Sequence, residues 1–187
     1  MKIAASIIAI ALTLFSGSLS WGLEKRLLDA AGVQELNEEA PEFALVTEAG
    51  KRISLKDMRG KVVLLHIWAT WCTPCKEEFP LFEKVYRSFK DKALVLLPVA
   101  IDKRATHEEL ASQAKKLGAN FPVYLASEGS ITERYWTWGV PVTYFIDKGG
   151  WIRGRAIGPR DWSSDGVYAL IKTMIEENKT LPHRGGG

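Results

Sequence analysis

Hydrophobic positions change period several times along the chain, and each change marks an element. Val62-Val63-Leu64-Leu65-His66-Ile67-Trp68 is almost continuously apolar, the pattern of a strand buried on both faces. Ala93 to Asp102 repeats it, but Pro98 removes one ladder donor, so a bulge or an early strand end is expected there. Between the two runs, Phe79, Phe82, Val85, Tyr86 and Phe89 recur at the spacing of one helix face. Pro80 lies inside that helix and predicts a kink. Thr106-His107-Glu108-Glu109 is a capping box for a helix that Gly118 ends. Phe121 to Leu125 reads as a short strand and Ile131 to Trp138 as a short helix. Val142 to Ile146 and Trp151 to Ile157 read as a hairpin around Lys148-Gly149-Gly150. Ser163 or Ser164 caps a last helix that reaches about Asn178 and turns Val167, Leu170, Ile171 and Met174 inward.

Before the first buried strand, Glu42 to Val46 follows Pro41 and pairs back on Arg52 to Leu55 as a β-hairpin. The order is hairpin, βαβ, helix, second hairpin and closing helix. It predicts an α/β domain: a central mixed sheet with helices on its faces, preceded by an N-terminal β-hairpin. The domain is expected over 41–180. Residues 1–22 have a basic start, an apolar middle and a small-residue end, the layout of a secretory signal, with an uncleaved anchor as the alternative. The charged lead-in 23–40 reads either as a linker or as a helix with Leu27, Leu28, Ala31 and Leu36 on one stripe. The tail 181–187 has nothing to bury and is expected to fray.

Composition narrows the function classes. At 187 residues, with 47% hydrophobic and 25% charged, the chain is an ordinary globular domain rather than a disordered or multi-span one. Its formal charge of +3 is too small to argue for nucleic acid. There are two cysteines, Cys72 and Cys75, too few for a disulfide scaffold or a four-cysteine zinc site. The three histidines, His66, His107 and His183, have no metal-ligand spacing between them, so no metal site is expected.

The two cysteines stand where a buried strand gives way to a helix, in Trp71-Cys72-Thr73-Pro74-Cys75. A sulfur at a helix N-terminus meets free N–H groups and the positive end of the dipole, both of which favour the thiolate. Pro74 suits a first turn. Cys75, one turn on, is placed to attack a mixed disulfide on Cys72 and release the bound molecule. A purely structural disulfide here would close a loop of two intervening residues and gain little. The spacing therefore reads as a redox pair.

WCTPC after a buried strand, followed later by GVPVTYFID, resembles the thioredoxin superfamily. The stretch APEFALVTEAGKRISLKDMRGKVVLLHIWATWCTPCKEEFP is similar to its exported TlpA/ResA-like branch of thiol-disulfide reductases. That resemblance implies a thioredoxin-like fold, thiol–disulfide exchange in the periplasm or another extracytoplasmic space, and no cofactor. It implies disulfide-bearing client proteins, recharging by a membrane thiol donor, and a monomer. Apocytochrome c is a common client of the branch, although Val142-Thr143 departs from the Pro-Glu-Thr loop of its cytochrome-maturation subgroup.

By the same resemblance Pro141 is the cis-proline, and Val140 offers its backbone to a bound peptide. Trp71 is an apolar lip beside the first sulfur or a plain core residue. Glu78 handles protons for the cysteines or only faces the helix dipole. His66 stands where the superfamily has Asp and this branch often Asn. It reads as a neutral core histidine with one hydrogen bond, the alternative being a proton acceptor for Cys75. Trp136 and Trp138 line a client groove or pack in the core. Two readings of other kinds remain. One is a copper chaperone holding Cu(I) on both thiolates, with Met58, Met174 or His66 as third ligand. The other, a thiol peroxidase, lacks its Pro-x-x-x-Thr-x-x-Cys pattern.

Overall fold

The computed structural model describes residues 24–126, 131–135 and 137–177. The segments 1–22 and 181–187, Trp136, and the expected end of the last helix at Asn178 lie outside those residues. A helix over 24–30, α1, leads into strand β1 (Gln34–Glu39). A separate two-stranded sheet follows, β2 (Ala44–Val46) and β3 (Arg52–Ser54), antiparallel as expected, with a 3-10 turn over Leu55–Met58. Then come β4 (Val62–Trp68), α2 (Thr73–Phe89), β5 (Leu94–Ala100), α3 (His107–Lys116), β6 (Tyr124–Leu125) and α4 (Ile131–Arg134). The chain closes with β7 (Val142–Ile146), β8 (Trp151–Ile157) and α5 (Asp165–Glu176).

Six strands form one mixed sheet in the order β1-β8-β7-β4-β5-β6. β4 pairs in parallel with β5 and antiparallel with β7, so it is an interior strand, and the layers on both faces of the sheet bury its side chains throughout. Alternation along β4 sorts the core into two layers. Val62, Leu64 and Trp68 face α2, α5 and α1, while Val63, Leu65 and Ile67 face the β2–β3 hairpin and α4. The α2 stripe of Phe79, Phe82, Val85 and Phe89 is buried in the first layer, as its spacing predicts. At about 1.5–3 kcal/mol for each large apolar side chain, that stripe is what holds α2 to the sheet.

The structure departs from expectation at three places. The lead-in read as a linker or a striped helix forms α1 and then a strand. β1 reads Gln-Glu-Leu-Asn-Glu-Glu and has no apolar alternation to announce it. Its state comes from antiparallel pairing with β8, through a register shift between Glu35 and Glu38. Side chains reinforce the pairing: Arg153 donates to Asn37 at 2.7 Å and Arg155 to Gln34 at 2.9 Å. Leu28 and Val33 join the first core layer, so this segment is packed against the rest.

Pro98 causes neither bulge nor early end, since β4 and β5 stay in register from Val62↔Leu94 to Trp68↔Ala100. Ile101 donates its N–H toward β4, to Trp68 O. Strand alternation therefore turns the Pro98 nitrogen the other way, to the side where β6 begins pairing only at Val99. The missing donor falls where no ladder bond is owed. α2 holds Pro80 inside it, as its sequence predicts. The short helix expected to reach Trp138 ends at Arg134.

Candidate active site

β4 ends at Trp68, and the next few residues deliver the chain to α2. Thr70 anchors this passage. Its N–H and hydroxyl both donate to the carboxylate of Asp102, at 3.0 and 2.5 Å, and its carbonyl accepts from Gln113 of α3 at 3.3 Å. Trp71 then projects outward, 68% exposed, so it is a rim residue and not a core one. Cys72 is the N-cap of α2 with extended backbone, and Pro74 falls in the first turn. The Cys75 N–H donates to Cys72 Sγ at 3.2 Å, so a sulfur takes the place usually held by a capping oxygen.

Cys72 and Cys75 are joined as a disulfide. The two sulfurs differ in access: Cys75 is fully enclosed, whereas Cys72 keeps 5% exposure at the rim. Across from Cys72 lies the loop before β7. Its Val140–Pro141 peptide bond is cis, and Val140 O is 3.7 Å from Cys72 Sγ. Trp138, two residues earlier, is 93% exposed. The structure thus brings Trp71, Cys72, Cys75, Val140 and Pro141 together at one end of the sheet.

Glu78 stands one turn after Cys75 on α2 and is buried. Its Oε1 accepts from the Trp162 indole N–H at 2.6 Å and from the Arg160 backbone N–H at 3.1 Å, whereas Oε2 has no partner. Burial pushes its carboxyl up to about 7, against the pull of both hydrogen bonds and of the Arg160 charge. Sequence reasoning reached Glu78 but neither Trp162 nor Arg160. They sit in the irregular link between β8 and α5, where no periodicity marks them.

His66 is wholly buried on β4 and faces Phe82, ring centroids 4.5 Å apart. Its cross-strand partner is Thr143, and Nδ1 meets the Thr143 hydroxyl at 2.9 Å. Burial lowers its pKa to about 3, so the ring is neutral. Nε2 has no partner. Met58 is buried in the layer on the far side of the sheet from the cysteines. Met174 lies on α5, beside Glu24 and Asp147. Neither methionine is brought to the two sulfurs.

Chemically, the arrangement holds two sulfurs in bonding contact, one at an open apolar rim and one sealed beneath it, with a protonatable carboxyl a helical turn below. Comparison with known proteins agrees with that chemistry. The family model "AhpC/TSA family" matches residues 36–155. The thiol-disulfide oxidoreductase ResA of Bacillus cereus is 33% identical over 141 residues, covering 75% of this chain and 80% of that protein. The thioredoxin-like protein YneN of Bacillus subtilis is 33% identical over 150 residues, covering 80% and 87%.

Among solved structures, the thioredoxin domain of a thiol-disulfide oxidoreductase from Bacteroides vulgatus superposes with a TM-score of 0.63 at 25% identity, covering 74% of this chain and 96% of that one. StoA of Bacillus subtilis superposes with a TM-score of 0.57 at 25% identity, covering 71% and 96%. Family match, relatives and fold agree: the chain belongs to the AhpC/TSA family, has a thioredoxin-like fold, and is a thiol-disulfide oxidoreductase.

Proposed function

We propose that this protein works as an exported reductase of disulfide-bearing client proteins, with Cys72 as nucleophile and Cys75 as resolving thiol. The unequal access of the two sulfurs carries this reading. In the reduced protein, the Cys72 thiolate attacks one sulfur of the client disulfide. The client S–S bond breaks, a mixed disulfide forms, and the other client sulfur leaves as a thiolate. Cys75 then gives its proton to Glu78 and attacks Cys72 Sγ. The second client sulfur departs, two electrons have passed to the client, and the Cys72–Cys75 disulfide remains. A membrane thiol donor restores the dithiol.

Several features support the roles. Free N–H groups at the start of α2 favour a Cys72 thiolate. The open rim at Trp71 and the backbone at Val140, beside the cis-proline, give an extended client segment an apolar lip and hydrogen-bonding groups. The apolar stretch within residues 1–22 supports export.

Cys72→Ser is expected to abolish reduction of a model protein disulfide, and Cys75→Ser to accumulate a mixed disulfide visible on a non-reducing gel. Full turnover by Cys72→Ser ends this reading. The direction is tested by redox titration of tryptophan fluorescence: a potential near about −270 mV fits a reductant, and one near about −120 mV an oxidant.

A further inference from the structure

Glu78 is held by two donors on one oxygen and by none on the other. The shorter bond comes from Trp162, whose indole is 1% exposed and cannot turn away. Phe82 stacks on it at 4.4 Å with planes 26° apart, and Phe145 lies at 6.1 Å and 27°. The Arg160 guanidinium covers it at 5.6 Å. That guanidinium is itself fixed by the carbonyls of Ala31 and Gly32, at 2.9 and 2.7 Å. The indole N–H is therefore a preset donor aimed at Oε1.

A carboxyl oxygen that already accepts two N–H bonds is a poor seat for a proton. When Glu78 is neutral its proton belongs on Oε2, and when Glu78 is charged the Trp162 bond is charge-assisted and strong. Cys75 lies three residues before Glu78, on the same helix face. We infer that Trp162 is a positioning residue for thiol exchange: it reserves Glu78 Oε2 as the oxygen that takes the Cys75 proton and steadies the carboxylate before that transfer. This rests on the reading of Glu78 as the proton acceptor for Cys75. The proton moves from Cys75 Sγ to Oε2. Cys75 Sγ then bonds to Cys72 Sγ, and the bound sulfur leaves with the electron pair. The groups facing Glu78 are Cys75 on α2, Arg160 on the β8–α5 link, and His66 on β4, neutral and set behind the Phe82 and Trp162 rings.

The test isolates the Cys75 step. Reduced protein is mixed with 5,5′-dithiobis(2-nitrobenzoate); the first coloured thiolate released reports attack by Cys72, and the second reports closure by Cys75. Closure rates are followed against pH for the wild type, Glu78→Gln, Trp162→Phe, and a form with benzothienylalanine at 162. That last side chain keeps the indole shape and lacks the N–H, so it is informative even if Trp162→Phe packs badly. Loss of the donor weakens the charged form of Glu78. The inflection in closure rate is expected to move up by about one pH unit, a roughly tenfold slowing on its acid side. In a Glu78→Gln background the same change is expected to do nothing.

An inflection that Glu78→Gln removes but benzothienylalanine leaves in place overturns the role of Trp162 and spares that of Glu78. A wild-type inflection unchanged by Glu78→Gln overturns the reading of Glu78 and the inference with it.

Discussion

His66 shows how much one buried side chain can decide. The unbroken apolar run around it made β4 legible, and a histidine there was expected to be neutral with one hydrogen bond, which is how it sits against Thr143. What the run could not reveal was the partner, because cross-strand register is set by a strand almost eighty residues away. Its folded pKa of about 3 lies below the ordinary 6.5, so the unfolded chain binds a proton more readily than the folded one. Stability from this group is complete above pH 6.5 and is lost as pH falls toward 3. Between pH 7 and 4 it is expected to cost about 3 kcal/mol. His66→Asn, which keeps a polar partner for Thr143 without titrating, is expected to remove most of that loss. Urea unfolding at the two pH values measures it. Glu78 makes the complementary point. A motif located the acid, but its environment is written in Arg160 and Trp162, whose spacing carries no pattern.

Among the elements, those with a side-chain period were readable and those held by their neighbours were not. α2, α3 and α5 each show an apolar stripe, and α3 has the Thr106–Glu109 capping box that its sequence predicts. β1 has no stripe because Arg153 and Arg155 of β8 supply its partners. The start of α5 was legible from Ser164, which stands at its N-cap, but the close packing there was not. Gly166 follows its first residue, and a Cβ there would lie 2.6 Å from the carbonyl oxygen of Ala30, at the end of α1. The obstacle is backbone, so α1 and α5 would have to part. Gly166→Ala is expected to destabilise the protein by about 1–3 kcal/mol. Helix propensity alone predicts a gain of up to about 1 kcal/mol. Thermal or urea unfolding separates the two signs.

Over the whole molecule, the redox pair and a charged cluster occupy opposite ends of the sheet. Asp147 follows β7, whose Ile146 pairs beside the start of β4, whereas Cys72 follows the end of β4. At the far end Asp147 accepts from Arg153 Nε at 2.7 Å, and Glu24 and Glu177 line the same small cavity. Burial raises Glu24 to about 7, with Arg153 pulling the other way. Its folded pKa exceeds the ordinary 4.5, so its contribution is present below pH 4.5 and is lost as pH rises through 7. Glu24→Gln is expected to gain up to about 3 kcal/mol at pH 8 and little at pH 4.5, read from unfolding curves at both. This slope opposes that of His66 between pH 4.5 and 6.5, while Glu78, likewise raised to about 7, adds to it.

The outermost strand has a consequence for neighbours. β1 exposes Glu35, Glu38 and Glu39 along a kinked margin, and at the other margin β6 is only two residues long. Two molecules meeting rim to rim would set like charges against each other on one side and find a stub on the other. Both margins thus work against the sheet's growing into a ribbon of its own copies.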